Sequence, residues 1–172
     1  SNQTPKATPY SYLLDDYSGV DSAYSLRKLS STYAGSCIRV RRDSDDTESD
    51  IGFSGNSLDT SALTTFVGAG DGYIVNWYDQ GGDSADLLNA TQNEQPRIVL
   101  SGSVVTQGGK PAIYQYPFTN KDSLYTNAAT FSSTSTIYMV SLIEETAGTI
   151  LLSGNIAPSV PFVGCAKPSN GS

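Results

Sequence analysis

The sequence predicts a single all-β domain of the sandwich or jelly-roll kind. Three observations predict this class: short β-prone runs separated by Gly, Asn and Asp turns, few helical patterns, and a low charge content. Charged residues make up 16% and hydrophobic residues 38% of the 172-residue chain, a balance typical of extracellular β proteins and unfavourable for helix bundles. A chain of this length can bury a core without added cross-links.

Composition divides the chain into three parts. Residues 1–11 are rich in Pro, Thr and Ser and are predicted to be a linker or N-terminal arm. The predicted strands fall within residues 12–155, which we assign to the β-sandwich domain. Residues 156–172 read as a C-terminal coil or as the start of a continuation. Because Met139 is the single methionine, we expect a processed product, an excised domain or part of a longer protein.

Two short helices are predicted. The first covers residues 22–29, with Asp21 as its N-cap and apolar side chains at positions 23, 26 and 29. The second covers residues 61–67, where Asp59 is a suitable cap and Gly68 and Gly70 end the helical pattern. A fold with one or two short helices among many strands remains all-β.

Strands are predicted wherever apolar and polar residues alternate or an apolar run lies between turns. The first pair is 37–41 and 49–53, joined by an acidic turn. The remaining predicted strands are 72–78, 97–100, 112–116, 136–143 and 149–152. Residues 136–143 are apolar on both faces, which predicts a central strand. Residues 114–118 contain three aromatic residues beside a proline, Tyr114, Tyr116 and Phe118, and suit either an edge strand with exposed rings or core packing.

Charge and residue usage exclude several functions. The formal net charge of −7 and the pI of about 4.3 argue against a nucleic-acid partner, which requires clustered basic residues. The one basic cluster, Arg39, Arg41 and Arg42, runs directly into acidic residues, so we expect a solvated strand edge. Histidine is absent, which excludes the usual zinc sites, Ser-His-Asp catalysis and Cys-His catalysis. No apolar run is long enough to predict membrane insertion.

The two cysteines leave two alternatives open. Cys37 and Cys165 could form one disulfide. Cys37 also lies in an apolar strand pattern, where a buried free thiol would serve equally well.

The loop at residues 77–83 is the main candidate site, because it places the only tryptophan, two glycines and several oxygen ligands at a strand end. Asp79, Asp83 and Asp86, with Gln80 and Asn89 nearby, could bind Ca²⁺, since this cation prefers six to eight oxygen ligands. An Asx-rich turn, in which these side chains bond local amides, explains the same residues.

The same loop could bind a glycan through Tyr78, Asp79, Gln80 and Asp83. Strict alternation places Tyr73, Val75 and Trp77 on one face of the strand, and this more apolar face is predicted to point into the core. Tyr78 is then the aromatic ring expected to be exposed.

Three segments carry a family resemblance: Ala23-Tyr24-Ser25-Leu26-Arg27, residues 38–46, and Trp77-Tyr78-Asp79-Gln80. They resemble the opening half of the concanavalin A-like catalytic domains of the α-L-arabinofuranosidase B family. They resemble more closely uncharacterised proteins of marine bacteriophages and bacteria, in which such domains belong to large virion or surface proteins. The resemblance extends from about residue 13 to residue 154 and implies a concanavalin A-like antiparallel β-sandwich.

The resemblance has a consequence for catalysis. In the arabinofuranosidases the two catalytic carboxylates lie on later strands, beyond the region that corresponds to residue 152, and this chain has no segment that matches them. A retaining glycosidase needs two carboxyl groups about 5 Å apart. Glu144 and Glu145 are adjacent on a predicted strand, so their side chains point to opposite faces.

Two functional classes follow. The first is a non-catalytic structural or adhesion module on a bacteriophage virion or a cell surface, with other virion or surface subunits as partners and weak glycan binding. The alternative is a fragment of an α-L-arabinofuranosidase-type glycoside hydrolase. Both classes place the protein on a virion surface or in an extracellular setting.

Overall fold

In the computed structural model of the chain, residues 12–114 and 122–126 are described. They contain two α-helices, α1 (Leu13–Asp16) and α2 (Thr60–Val67), and a 3-10 turn at Gln92–Glu94. The strands are β1 (Ile38–Arg42), β2 (Glu48–Ile51), β3 (Phe53–Ser54), β4 (Ser57–Leu58), β5 (Gly72–Trp77), β6 (Leu87–Leu88), β7 (Arg97–Leu100), β8 (Ser103–Val104), β9 (Thr106–Gln107) and β10 (Lys110–Pro111).

The main sheet has six strands and is antiparallel throughout. Its order is β2-β1-β5-β7-β8, and β6 pairs with the far end of β5. Two small hairpins, β3-β4 and β9-β10, complete the described strands. The predicted all-β fold with one or two short helices is therefore confirmed. The strands predicted at 136–143 and 149–152 lie outside the described residues, so the complete jelly-roll connection stays a prediction.

One face of the sheet carries the hydrophobic core. Ile38 and Val40 of β1, Ile74 of β5 and Ile98 of β7 are fully buried. Helix α2 lies against β1, β2 and β8 and contributes Leu63 and Val67 to the same cluster.

The predicted second helix is confirmed. The Asp59 side chain accepts a hydrogen bond from the Ala62 amide at 2.9 Å, and Gly68 ends the helix at a φ of +72°. A side-chain acceptor at this position satisfies one of the amides that have no partner within the helix.

The predicted first helix is wrong, because no described residue between 22 and 29 is helical. The backbone there instead bonds to distant parts of the chain. The Leu58 amide donates to the Leu26 carbonyl at 2.8 Å, and the Lys28 amide donates to the Asn56 carbonyl at 3.0 Å. These bonds use groups that a helix would have paired internally, so tertiary contacts decide the conformation.

A β-bulge changes which residues of β5 face the core. Arg39 pairs with Asn76, but Val40 pairs with Ile74, so one residue of β5 has no partner and the alternation shifts phase. Trp77 packs against the core as predicted. Tyr73 does not, because Ile74 takes the core position and Tyr73 falls on the opposite face. The prediction that Tyr73 and Trp77 share the inward face is therefore wrong.

The remaining strand predictions have mixed outcomes. Residues 97–100 form β7 as predicted, and 37–41, 49–53 and 72–78 are confirmed with shifts of one or a few residues. Of the predicted strand at 112–116, Tyr114 makes a single bridge to Arg97, and 115–116 lie outside the described residues. Hairpin β3-β4 and the four-residue helix α1 were not predicted, because elements this short carry no periodic signal.

Cys37 carries a free thiol in the core, with no solvent exposure. Cys165 lies outside the described residues. Burial raises the pKa of the Cys37 thiol from its ordinary value of 9.0 to about 12, because an apolar environment disfavours the thiolate. The structure thus favours the buried free thiol over the disulfide.

We predict that iodoacetamide at pH 9 leaves Cys37 unmodified in the native protein and modifies it rapidly in urea. Between pH 9 and pH 12 the thiol of the unfolded chain is ionised while that of the folded chain is neutral. Raising the pH through this window therefore favours unfolding. Peptide mapping by mass spectrometry measures the modification. Equal rates with and without urea would contradict the buried environment.

Candidate functional site

Asp79 is buried, with an exposed fraction of 6%, and both of its carboxylate oxygens accept hydrogen bonds. Oδ1 accepts from the amides of Ala23 and Gly81, each at 2.7 Å, and Oδ2 accepts from the Ala85 amide at 3.1 Å. Because a buried carboxylate needs such donors to replace water, these contacts identify a structural role for Asp79.

Gln80 is 4% exposed, and its side-chain amide is fully engaged with the loop at residues 25–29. Its Oε1 accepts from the Leu29 amide at 2.8 Å, and its Nε2 donates to the carbonyls of Ser25 and Arg27, each at 2.9 Å. Asp79 and Gln80 together, which we call the Asp-Gln clamp, hold residues 23–29 against the end of β5.

Backbone contacts extend the clamp to Asp21. The amides of Gly82 and Asp83 donate to the Asp21 carbonyl at 2.9 and 3.0 Å. A Cβ added at Gly81 would lie 2.6 Å from the same carbonyl oxygen, so this position requires glycine. The Asp83 side chain is exposed.

The other residues of the loop also have internal partners. The Tyr78 hydroxyl donates to Asp50 Oδ1 at 2.7 Å, and the Tyr78 ring is half-buried rather than fully exposed. Asp86 Oδ1 accepts from the Asp79 amide at 2.9 Å. Asn89 is fully buried and donates from Nδ2 to the Ser123 carbonyl at 2.9 Å.

The structure brings these loop residues together, but the polar side-chain atoms of Asp79, Gln80 and Asp86 bond to other groups of the protein. Within residues 12–114 and 122–126, no three Asp, Glu or Cys side chains lie close enough to hold one metal ion. Calcium binding by Asp79, Asp83 and Asp86 stays a prediction, as does glycan binding by Tyr78, Asp79, Gln80 and Asp83.

A different feature lies on the face of the sheet opposite the core. Arg41, Tyr73, Arg97 and Tyr114 stand side by side, because Arg41 pairs with Tyr73, Tyr73 with Arg97, and Arg97 with Tyr114. The guanidinium carbons of Arg41 and Arg97 lie 4.8 and 5.4 Å from the centre of the Tyr73 ring, within the range of cation–π contacts.

This row lines a groove of about 530 Å³, which we call the Arg-Tyr groove. Its other lining residues are all polar: Asp43, Asp46, Gln92, Asn93, Gln95 and Asp122. The volume lies within the roughly 300–1,000 Å³ of small-molecule sites.

Arg41 is the most buried charge in the groove, with its side chain 6% exposed. It donates to Gln95 Oε1 at 2.9 Å and to Asp46 Oδ1 at 2.7 Å, and it lies 3.8 Å from Asp43. The predicted solvated strand edge is therefore wrong at Arg41, because β1 lies between β2 and β5. Sequence reasoning missed the groove, since only strand order shows that these arginines face a tyrosine.

The Arg97 side chain is less buried, at 26% exposed. Its Nη2 lies 3.3 Å from Asp71 Oδ2 and donates to the Tyr73 hydroxyl at 3.2 Å. Its Nε is buried and has no hydrogen-bond partner among the described residues. Such donors are uncommon in folded proteins, where nearly all buried polar groups are paired.

Comparison with known proteins gives a family. The model of the catalytic domain of α-L-arabinofuranosidase B matches residues 18–140, which is more than half of the chain. The chain belongs to this family. The matched region includes the Asp-Gln clamp and the Arg-Tyr groove. No curated protein and no solved structure matches the chain significantly.

In the described part of the chain, neither helix has the length and apolar character that crossing a bilayer requires.

We predict that Gln80→Glu lowers the free energy of unfolding by roughly 3 kcal/mol, because it removes two donors and places a carboxylate in a buried site. Urea unfolding followed by Trp77 fluorescence measures the change. Asp83→Asn is the control, because this neighbouring side chain is exposed, and it should alter stability by less than about 0.5 kcal/mol. Equal unfolding midpoints for the two variants would refute the clamp.

Proposed function

We propose that this chain is a non-catalytic carbohydrate-recognition module that acts as a structural or adhesion domain on the outside of a bacteriophage virion or a cell. Its partners are neighbouring virion or surface subunits and the glycans that the particle meets. The proposal combines a family relation to a carbohydrate-active domain with an open polar groove on the sheet.

The groove is the observation that carries glycan recognition. Sugars present hydroxyl groups that both donate and accept hydrogen bonds, together with flat apolar faces. The Arg-Tyr groove offers guanidinium donors, carboxylate acceptors, aromatic rings and side-chain amides that can both donate and accept hydrogen bonds. Small-molecule sites are concave, and a few placed polar groups in them orient the ligand.

Two of the described carboxylates, Asp15 and Asp45, are unsuited to the role of a general acid. A glycosidase general acid needs a raised pKa so that it holds its proton near neutral pH. Hydrogen bonds from Ser31 lower the pKa of Asp15, and the Arg42 guanidinium lowers the pKa of Asp45. Both shifts stabilise the charged form, which is the wrong direction for an acid.

An exterior setting is supported by composition and by the resemblance of three segments to virion and surface proteins. The net charge of −7 suits a soluble exterior domain and disfavours contact with nucleic acid. Capsid or tail genes beside the coding sequence would be the expected genomic context, and a context of plant-polysaccharide degradation genes would contradict it.

The second candidate is a fragment of a glycoside hydrolase. The observation that favours it is the identity of the matched family, since the model describes a catalytic domain. A glycoside hydrolase requires two carboxyl groups placed on either side of the glycosidic bond that is cleaved.

One pair of assays separates the two functions. We expect the purified chain to bind sugars on a glycan array and to release nothing from aryl arabinofuranosides or plant polysaccharides. Turnover that disappears on changing a single carboxylate to its amide would refute the non-catalytic proposal. Absence of binding to every glycan on the array would refute carbohydrate recognition.

A further inference from the structure

We infer that the glycan site is the Arg-Tyr groove rather than the loop at residues 77–83, and that its ligand is an uncharged sugar unit. In this arrangement the sugar stacks on Tyr114 and one of its oxygens accepts a hydrogen bond from Arg97. The inference rests on the proposed function, because it assigns a site and a ligand class to the same recognition.

The loop has little left to offer a sugar. Asp79 and Gln80 are almost completely buried, and their polar atoms bond backbone groups of residues 23–29 and of the loop itself. A ligand that used them would have to break these bonds and leave buried amides without acceptors, which is unfavourable.

One residue of the groove, in contrast, carries a donor that lacks an acceptor. Arg97 lines the groove, and its Nε is buried without a hydrogen-bond partner among the described residues. A hydroxyl or ring oxygen of a sugar beside Arg97 would supply the acceptor after a small movement of the side chain. Hydrogen bonds to charged groups are stronger than those between neutral groups.

Tyr114 is the ring best placed for stacking. Two guanidinium groups already lie over the Tyr73 ring, which leaves it little surface for a ligand. Tyr114 follows Arg97 in the row and is 40% exposed. A sugar on Tyr114 would therefore also lie next to Arg97.

The charges of the groove favour an uncharged ligand. Arg41 lies within ion-pair distance of Asp43 and Asp46, and Arg97 lies 3.3 Å from Asp71. Asp122 also lines the groove, and its negative charge stabilises the positive charge of Arg97. Because carboxylates already offset both arginines, a sulfate or uronate would meet repulsion rather than surplus positive charge.

The experiment compares two tyrosines that occupy similar positions. Tyr114 and Tyr125 each make a single antiparallel bridge, and they are 40% and 46% exposed. Affinity for the best neutral oligosaccharide on the array is measured for the wild type, for Tyr114→Ala and for Tyr125→Ala. We expect about a tenfold loss for Tyr114→Ala, the size typical of a residue important for binding, and less than a twofold change for Tyr125→Ala. Tyr114→Phe should retain affinity, because it preserves the ring.

Arg97→Lys tests the hydrogen bond. It preserves the positive charge but removes Nε and the planar guanidinium, so we expect about a tenfold loss of affinity. Tyr78→Ala, at the end of β5, should change affinity by less than twofold. A matched set of sulfated or uronate glycans should bind at least tenfold more weakly than their neutral counterparts.

The outcomes separate the two proposals. If the wild type binds no glycan, the proposed function fails. If the wild type binds but Tyr78→Ala weakens binding while Tyr114→Ala and Arg97→Lys do not, the loop is the site and the inference fails. A preference for sulfated or uronate glycans would overturn the assigned ligand class.

Discussion

The structure depends on two adjacent side chains, Asp79 and Gln80, that follow β5 and hold the loop before β1 in place. Each side chain makes three hydrogen bonds to backbone groups; one of those of Asp79 and all three of those of Gln80 reach residues far away in the sequence. Residues 23–29 contain no described helix, so their amides and carbonyls need partners elsewhere. The clamp supplies many of them in a buried site, where hydrogen bonds are strong and an unpaired group is costly. Gly81 makes the close approach possible, because any side chain there would collide with the Asp21 carbonyl.

The two faces of the main sheet use their residues in different ways. One face packs Ile38, Val40 and Ile74 under α2, where burial of apolar surface stabilises the fold. The other face carries the Arg-Tyr groove, where charges are paired and the space between them stays open. Arg41 is buried although it lies on the groove face. This division allows the domain to hold a rigid core and still present polar groups at its surface.

The accuracy of the sequence predictions varied with the range of the interactions involved. Helix α2 could be predicted because its signals, the Asp59 cap and the Gly68 stop, act within a few residues. The helix predicted at 22–29 had a similar cap and apolar spacing, but distant hydrogen bonds, donated by Gln80 and accepted by the Asn56 carbonyl, overrode these signals. Tyr73 was placed on the wrong face because a bulge interrupts the alternation of β5. The candidate loop was identified by its residue types. Its clamp contacts could not be predicted, because they join the loop to residues far away in the sequence.

The sequence by itself determined the all-β class, the positions of β1, β5 and β7, the inward orientation of Trp77 and the family to which the chain is related. These properties follow from local patterns of apolar residues, caps and motifs, which act along the chain. Only the tertiary structure decided that Asp79 and Gln80 face inward onto another loop and that Arg41, Tyr73, Arg97 and Tyr114 form one row. The physical reason is that strand order and register bring together residues separated by tens of positions, and a single bulge changes which of them meet.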